Sequence, residues 1–135
     1  MSDVMLRWTG EDLTFEGTTS HGDPILTGND PAGPGAKASD LLPLSLAACT
    51  VYDVVVILRK QRQDLRSLEV RVTSEQDEDP PWTFRAIHMH LVARGAVDDR
   101  KFARAIELSG SKYCSVAATL RAVVRLSHSH EVVPD

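Results

Sequence analysis

The sequence predicts an α+β fold, and three observations support this prediction. Apolar and polar residues alternate over residues 4–9, 68–73 and 87–91, as they do in strands with one buried face. The apolar stretch Leu41–Leu58 is longer than the roughly eight residues of most buried strands, so it predicts a helix. The resulting order of strands, long helix, strands, helix and strand lacks the regular βαβ alternation of a parallel sheet.

Length and charge restrict the class of protein. The chain has 135 residues, which fits a single domain over residues 1–135. It carries 15 basic and 19 acidic residues, and a net charge of -4 argues against a nucleic-acid partner, which would require a basic face. Residues 1–10 include Asp3 and Arg7 and show no apolar targeting segment, so we expect a cytoplasmic protein that does not span a membrane.

The N-terminal third reads as short strands followed by a loop. Residues Val4–Thr9 and Leu13–Gly17 flank the turn-forming segment Gly10–Asp12 and predict a hairpin. A short apolar pair, Ile25 and Leu26, follows a second turn. Residues 28–35 contain three glycines and two prolines and predict a loop.

The long helix has recognisable end signals. Ser39 or Asp40 can cap its start, and Pro43 falls in the first turn, where a missing N–H costs little. We expect it to end near Gln63, after a cluster of cations suited to the negative end of a helix. Because it is apolar on nearly all sides, it should be the central buried helix.

The remaining elements are two strands, a second helix, a short helical turn and a last strand. Residues 68–73 and 87–91 predict an antiparallel pair with one buried face, joined by the acidic, proline-containing loop 75–81. Asp98 should cap a second helix that runs to about Lys112, with Phe102, Ala105, Ile106 and Ser109 on one stripe. A short helical turn from Ser115 and a strand over Arg121–His128 complete the fold.

The two cysteines, Cys49 and Cys114, are the candidates for chemistry. Free cysteine is often a small buried hydrophobe, so an inert core role is the simplest interpretation. A reactive role for Cys49 requires a thiolate, which a nearby cation would favour. Asp53 lies one helical turn away on the same face, and its negative charge would instead raise the pKa of the thiol.

Two segments around these cysteines resemble one known family. Residues Asp40–Cys49 are similar to the central-helix motif of the OsmC/Ohr family, and residues Lys112–Val116 to its second cysteine motif. The N-terminal strands and the spacing of elements also match, so the resemblance covers nearly the whole chain. It implies an OsmC-like fold with antiparallel sheets and a long buried central helix. It also implies an intertwined homodimer with active sites at the subunit interface.

The resemblance implies a thiol-dependent peroxidase that prefers organic hydroperoxides, as part of the defence against oxidative stress. Cys49 would be the peroxidatic cysteine and Cys114 the resolving one, joined by a disulfide after oxidation. A dithiol reductant would restore both thiols, and in well-studied relatives it is a lipoylated protein. No flavin, haem or metal cofactor is implied.

The sequence departs from the family pattern at two positions. Catalytic members carry an arginine in the loop before the central helix, whereas residues 25–37 contain no arginine and Lys37 is their only cation. They also carry a glutamate ten residues before the first cysteine, where this chain has Ser39 with Asp40 beside it. Lys37 and Asp40 are therefore further candidate site residues. An arginine from the partner subunit could also supply the positive charge: Arg7, Arg59 or Arg62.

Other kinds of site remain as alternatives. His88 with His90, and His128 with His130, could each share one face of a strand, but a zinc site normally needs three or four convergent ligands. Nothing around Cys49 resembles a cysteine hydrolase, and the glycine-rich loop lacks a phosphate-loop lysine. The alternative function is a dimeric OsmC-like binding protein for a small hydrophobic or thiol-bearing ligand, with little or no peroxidase activity.

Overall fold

The computed structural model describes residues 2–135. These residues form two compact units, one that ends at Leu42 and one that comprises Pro43–Asp135. That the two units make a single domain stays a prediction.

The N-terminal unit is built around a three-stranded antiparallel sheet. The predicted hairpin is confirmed, with Trp8 opposite Phe15 and Met5 opposite Thr18. Gly10 turns the chain with a φ of 90°, in the left-handed region that glycine adopts at little cost. The strands follow one another in the order β1 (Met5–Trp8), β2 (Thr14–Thr18) and β3 (Ile25–Gly28).

The long helix, α1, comprises Leu41–Lys60 and follows a 3₁₀ turn at Ala38–Asp40. The predicted end near Gln63 is wrong by three residues. Arg62 has a φ of 56°, and the Gln63 N–H donates to the Leu58 carbonyl at 3.0 Å. This is the geometry of a Schellman motif, which usually places a glycine where this chain has Arg62.

Helix α1 buries one face and exposes the other in this chain. Leu46, Val54 and Leu58 are at most 1% exposed and belong to the core of the C-terminal unit. Leu44 and Tyr52 are 59% and 72% exposed. The prediction of a helix buried on nearly all sides therefore holds for only one face of α1 in this chain.

One helical segment of the described residues, Ala38–Lys60, is long and apolar enough to cross a membrane by length and composition alone. The core helix of a soluble protein meets the same criterion, and α1 contributes to a core. The segment is therefore no evidence of a membrane span.

The C-terminal unit contains a mixed three-stranded sheet. The antiparallel pair is confirmed, with Val70 opposite Leu91. The last strand pairs in parallel with its neighbour, so the expectation of antiparallel sheets is wrong here. Parallel pairing requires a crossover connection, which the intervening helices provide. The strand order is β4 (Asp64–Gln76), β5 (Phe84–Ala96) and β6 (Arg125–Val133).

The crossover between β5 and β6 differs in detail from the prediction. Asp98 caps α2 (Asp99–Leu108) by accepting from the Lys101 N–H at 3.0 Å, as expected. The helix does not continue regularly to Lys112, because Ser109–Tyr113 form a π turn. Helix α3 (Ser115–Leu120) follows, and residues 121–124 form turns, so the last strand starts four residues later than predicted.

The core of the C-terminal unit lies between one face of the sheet and the helices. Ile87, Met89 and Leu91 point into it, as their alternation predicts. The predicted stripe of α2 is also buried: Phe102, Ala105, Ile106 and Ser109.

Truncation of Leu58 to alanine should lower the free energy of unfolding by about 2–5 kcal/mol, because it leaves a cavity under α1. Arg59→Ala, at the exposed next position of the same helix, should change it by only about 0.5 kcal/mol. Urea denaturation of both variants measures the difference. Equal destabilisation by the two substitutions would contradict the assignment of the buried face.

Candidate thiol site

The structure brings the two cysteines together. Cys49 lies on α1 and Cys114 lies immediately before α3, and both are free thiols. Their side chains lie close enough to interact, and this interaction raises the pKa of Cys49. Cys114 is fully buried, whereas Cys49 is partly accessible. The pair is therefore a contact across the fold of the C-terminal unit, with one thiol open to small molecules.

A buried serine links the two elements that carry the cysteines. The Ser109 hydroxyl donates to Asp53 Oδ2 at 2.7 Å, which ties the π turn to α1. The Ser109 carbonyl accepts from the Cys114 N–H at 2.8 Å. Single π turns within helices often occur at functional sites. Here the turn places Cys114 against α1.

The first turn of α3 directs two backbone amides at the sulfurs. The Ala117 N–H donates to Cys114 Sγ at 3.3 Å, and the Val116 backbone lies close enough to Cys49 to lower the pKa of its thiol. Hydrogen bonds of this kind stabilise negative charge on the acceptor atom. The start of α3 therefore favours negative charge on both sulfurs.

The surroundings nevertheless keep Cys49 protonated. Burial raises the pKa of Cys49 above its ordinary value, and the hydrogen bond and charge of Cys114 raise it further. The negative charge of Asp53 acts in the same direction, as the i, i+4 spacing predicts, while the Val116 N–H opposes it. Cys49 is thus a weakly ionised thiol at neutral pH in this chain.

The other two predicted site residues lie in the N-terminal unit. Lys37 precedes the 3₁₀ turn, and its carbonyl accepts from the N–H of Asp40, the last residue of that turn. Their predicted roles toward Cys49 stay predictions.

The two histidine pairs occupy opposite faces of the sheet. His88 Nδ1 hydrogen-bonds with Ser127 Oγ, and His90 Nδ1 with Ser129 Oγ, both at 2.7 Å on the polar face. His130, from the other pair, contacts Asp99 Oδ1 at 3.2 Å. Within residues 2–135, no group of three or more histidine, cysteine, aspartate or glutamate side chains is placed to hold a metal ion.

The fold and the neighbouring cysteines can now be compared with those of a known protein family. The family model described as OsmC-like protein matches residues 29–129, so the chain belongs to the OsmC family. This family includes redox and organic hydroperoxide resistance proteins.

Particular relatives share most of the length of the chain. Protein YhfA of Escherichia coli K12 is 38% identical over 129 residues, which are 95% of this chain and 96% of the relative. The crystal structure of a hypothetical protein from Aquifex aeolicus VF5 has a TM-score of 0.90 at 30% identity, covering 100% of this chain and 98% of that one. An organic hydroperoxide resistance protein OsmC from Legionella pneumophila has a TM-score of 0.69 at 13% identity and covers 97% and 96%, which shows the shared fold.

The cysteines and Asp53 were predicted from the sequence, whereas three contributions to the site were not. Ser109 was expected only as part of a buried stripe, and its bond to Asp53 depends on how α2 packs against α1. The Val116 and Ala117 amides act through the backbone, for which side-chain patterns give no signal.

Replacing Asp53 by asparagine should lower the pKa of Cys49, because it removes a nearby negative charge and leaves an oxygen to accept from Ser109. The pH profile of iodoacetamide alkylation, measured in a Cys114→Ser background, reports this pKa directly. Asp64→Asn, an exposed substitution on β4, is the matched control. An unchanged profile for Asp53→Asn would show that Asp53 does not act on the thiol.

Proposed function

We propose that this protein is a thiol-dependent peroxidase that reduces organic hydroperoxides. The observation that supports the proposal most strongly is the contact between two free thiols, one partly accessible and one buried beside it. Membership of the OsmC family adds to it, since the family includes hydroperoxide resistance proteins. Neither step of the proposed reaction requires a cofactor.

In the first step the Cys49 thiolate attacks the terminal oxygen of the hydroperoxide. The O–O bond breaks, the sulfur becomes a sulfenic acid, and the alkoxide leaves as an alcohol after taking a proton. In the second step the Cys114 sulfur attacks the sulfenic sulfur, water leaves, and a disulfide forms. A dithiol reductant, which in this proposal can be a lipoylated protein, then returns both thiols by exchange.

The raised pKa of Cys49 determines how this reaction should depend on conditions. Because the thiolate is the nucleophile, the rate at neutral pH is limited by the small ionised fraction. A cation brought close to Cys49 would increase that fraction. We propose Lys37 or an arginine of the partner subunit for this role, with Asp40 orienting the cation.

The apolar surface supports a homodimer with its active sites at the subunit interface. Leu44 and Tyr52 are exposed on α1, and Val4, Leu6 and Trp8 are exposed on or beside β1. Exposed apolar patches of this kind often mark protein interfaces. We propose that the dimer acts in the cytoplasm, where reducing conditions regenerate thiols.

A raised thiol pKa also favours a second candidate function. A dimer with slowly reacting cysteines could instead bind a small hydrophobic or thiol-bearing ligand. The reaction of the thiols with peroxide distinguishes the two candidates.

Treatment of the reduced protein with tert-butyl hydroperoxide should consume both free thiols, because sulfenic acid formation at Cys49 is followed by the disulfide. Cys49→Ser should retain its single thiol, whereas Cys114→Ser should lose one thiol and accumulate a sulfenic acid that dimedone traps. Thiol counting with Ellman's reagent after removal of peroxide measures all three. Persistence of both thiols under millimolar peroxide would exclude the peroxidase and favour the binding protein.

Tyr52→Asp should convert the dimer to a monomer, because it places a charge in the apolar face of α1. Sedimentation equilibrium at several concentrations measures the mass. Lys60→Asp, at the exposed end of the same helix, controls for charge alone. A monomeric unsubstituted protein would contradict the dimer proposal.

A further inference from the structure

Ser109 is the residue at which α2 passes into the π turn, and its N–H, its carbonyl and its hydroxyl are all bonded. Its N–H continues the helical pattern by donating to the carbonyls of Ala105 and Ile106. Its carbonyl accepts from the Cys114 N–H at 2.8 Å, which is the i, i+5 bond of a π turn. Its hydroxyl leaves this segment and donates to Asp53 on α1 at 2.7 Å. Ser109 therefore bonds both to Cys114 and to the helix that carries Cys49.

A second hydroxyl in the same turn makes a bond of a different kind. Ser111 Oγ donates to the Glu107 carbonyl at 2.8 Å, within its own stretch of chain, and Ser111 is exposed. Ser109 is 0% exposed, and a buried hydroxyl that loses its partner is costly. Of these two hydroxyls, the one on Ser109 determines where the turn lies against α1, and the one on Ser111 does not.

The two cysteines and the bonded pair form successive links between the same two elements. Asp53 follows Cys49 by one turn of α1 on the same face, about 6 Å along the helix axis. Ser109 and Cys114 are the two ends of the π-turn bond. Because each link joins α1 to this turn, the bond from Ser109 to Asp53 restricts how far Cys114 can move from Cys49.

We propose that Ser109 is a positioning residue for disulfide formation, which holds Cys114 where it can react with Cys49. This role rests on the second step of the proposed function. In that step the Cys114 sulfur attacks the sulfenic sulfur of Cys49, the S–S bond forms, the S–O bond breaks, and the oxygen leaves as water with the thiol proton. Reaction within one molecule is favoured when the partners are held in place beforehand. Loss of the Ser109 hydroxyl therefore slows this step and leaves the first one unchanged.

Substitutions separate the two effects of Asp53 in this arrangement. Asp53→Asn removes the charge that acts on Cys49 but keeps an oxygen to accept from Ser109. Ser109→Ala keeps the charge and removes the donor. Asp53→Asn should therefore shift the pH profile of Cys49 alkylation, while Ser109→Ala should leave that profile in place and loosen Cys114. A serine that only stabilised the fold would not produce this division.

The test measures how readily the reduced full-length protein forms the Cys49–Cys114 disulfide in mixtures of reduced and oxidised glutathione. Two exchange steps convert the dithiol and one oxidised glutathione into the disulfide and two reduced glutathiones. The equilibrium gives the effective concentration of one thiol for the other. Ser109→Ala should lower it about tenfold, because a bond to a charged group is lost. Ser111→Ala, the same substitution in the same turn, is the matched control and should retain the unsubstituted value.

A second substitution removes the same bond from the other side. Asp53→Ala should lower the effective concentration by a factor similar to that of Ser109→Ala, and the two together should lower it no further than either alone. Asp53→Asn should stay close to the unsubstituted value. With tert-butyl hydroperoxide, Ser109→Ala should lose its first thiol at the unsubstituted rate and accumulate more of the sulfenic acid that dimedone traps.

The positioning role is overturned if Ser109→Ala, shown to be folded by circular dichroism, keeps the effective concentration, or if Ser111→Ala lowers it equally. It is also overturned if the unsubstituted protein forms no Cys49–Cys114 disulfide in oxidised glutathione. If Ser109→Ala does not fold, equal values for Asp53→Ala and Asp53→Asn overturn it instead. No peroxide enters the glutathione measurement. Thiols that resist peroxide but respond to Ser109→Ala in glutathione would therefore exclude the proposed peroxidase and leave the positioning role intact.

Discussion

The hydrogen bond from Ser109 to Asp53 is the interaction on which the candidate site depends. It joins the π turn to α1 inside the protein, where a bond to a charged group contributes about 1.5–3 kcal/mol. Through its carbonyl, the same serine holds the Cys114 N–H. One residue therefore fixes both the approach of the two elements and the position of the second cysteine. The contact between the sulfurs follows from this arrangement.

The Asp53 carboxylate also disfavours ionisation of Cys49. Asp53 holds the π turn in place, but its charge also raises the pKa of Cys49, in addition to the larger effect of burial. The Val116 N–H is the one contribution that lowers this pKa within the described part of the chain. The arrangement thus favours the encounter of two sulfurs more than the ionisation of either. A charge supplied by a second subunit would change that balance, which is why assembly and chemistry are linked in the proposed function.

The parts of the fold that sequence predicted are those with a local cause. The β4–β5 pair follows from alternation over a half-buried sheet, and the α2 cap follows from Asp98. The predictions were wrong where contacts between residues far apart in the sequence determine the local structure. Arg62 adopts a left-handed conformation without a glycine signal, and β6 pairs in parallel because the crossover returns it to β5. In the site, the cysteine motifs were visible in sequence, whereas the role of Ser109 required the packed structure.

The central claim is that Cys49 and Cys114 form a redox couple. The most direct test is mass spectrometry of the protein after one equivalent of cumene hydroperoxide, combined with quantification of the alcohol. We expect a loss of the mass of two hydrogen atoms, a single peptide pair linked through Cys49 and Cys114, and one cumyl alcohol per disulfide. An unchanged mass, or an oxidised Cys49 that never links to Cys114, would contradict it.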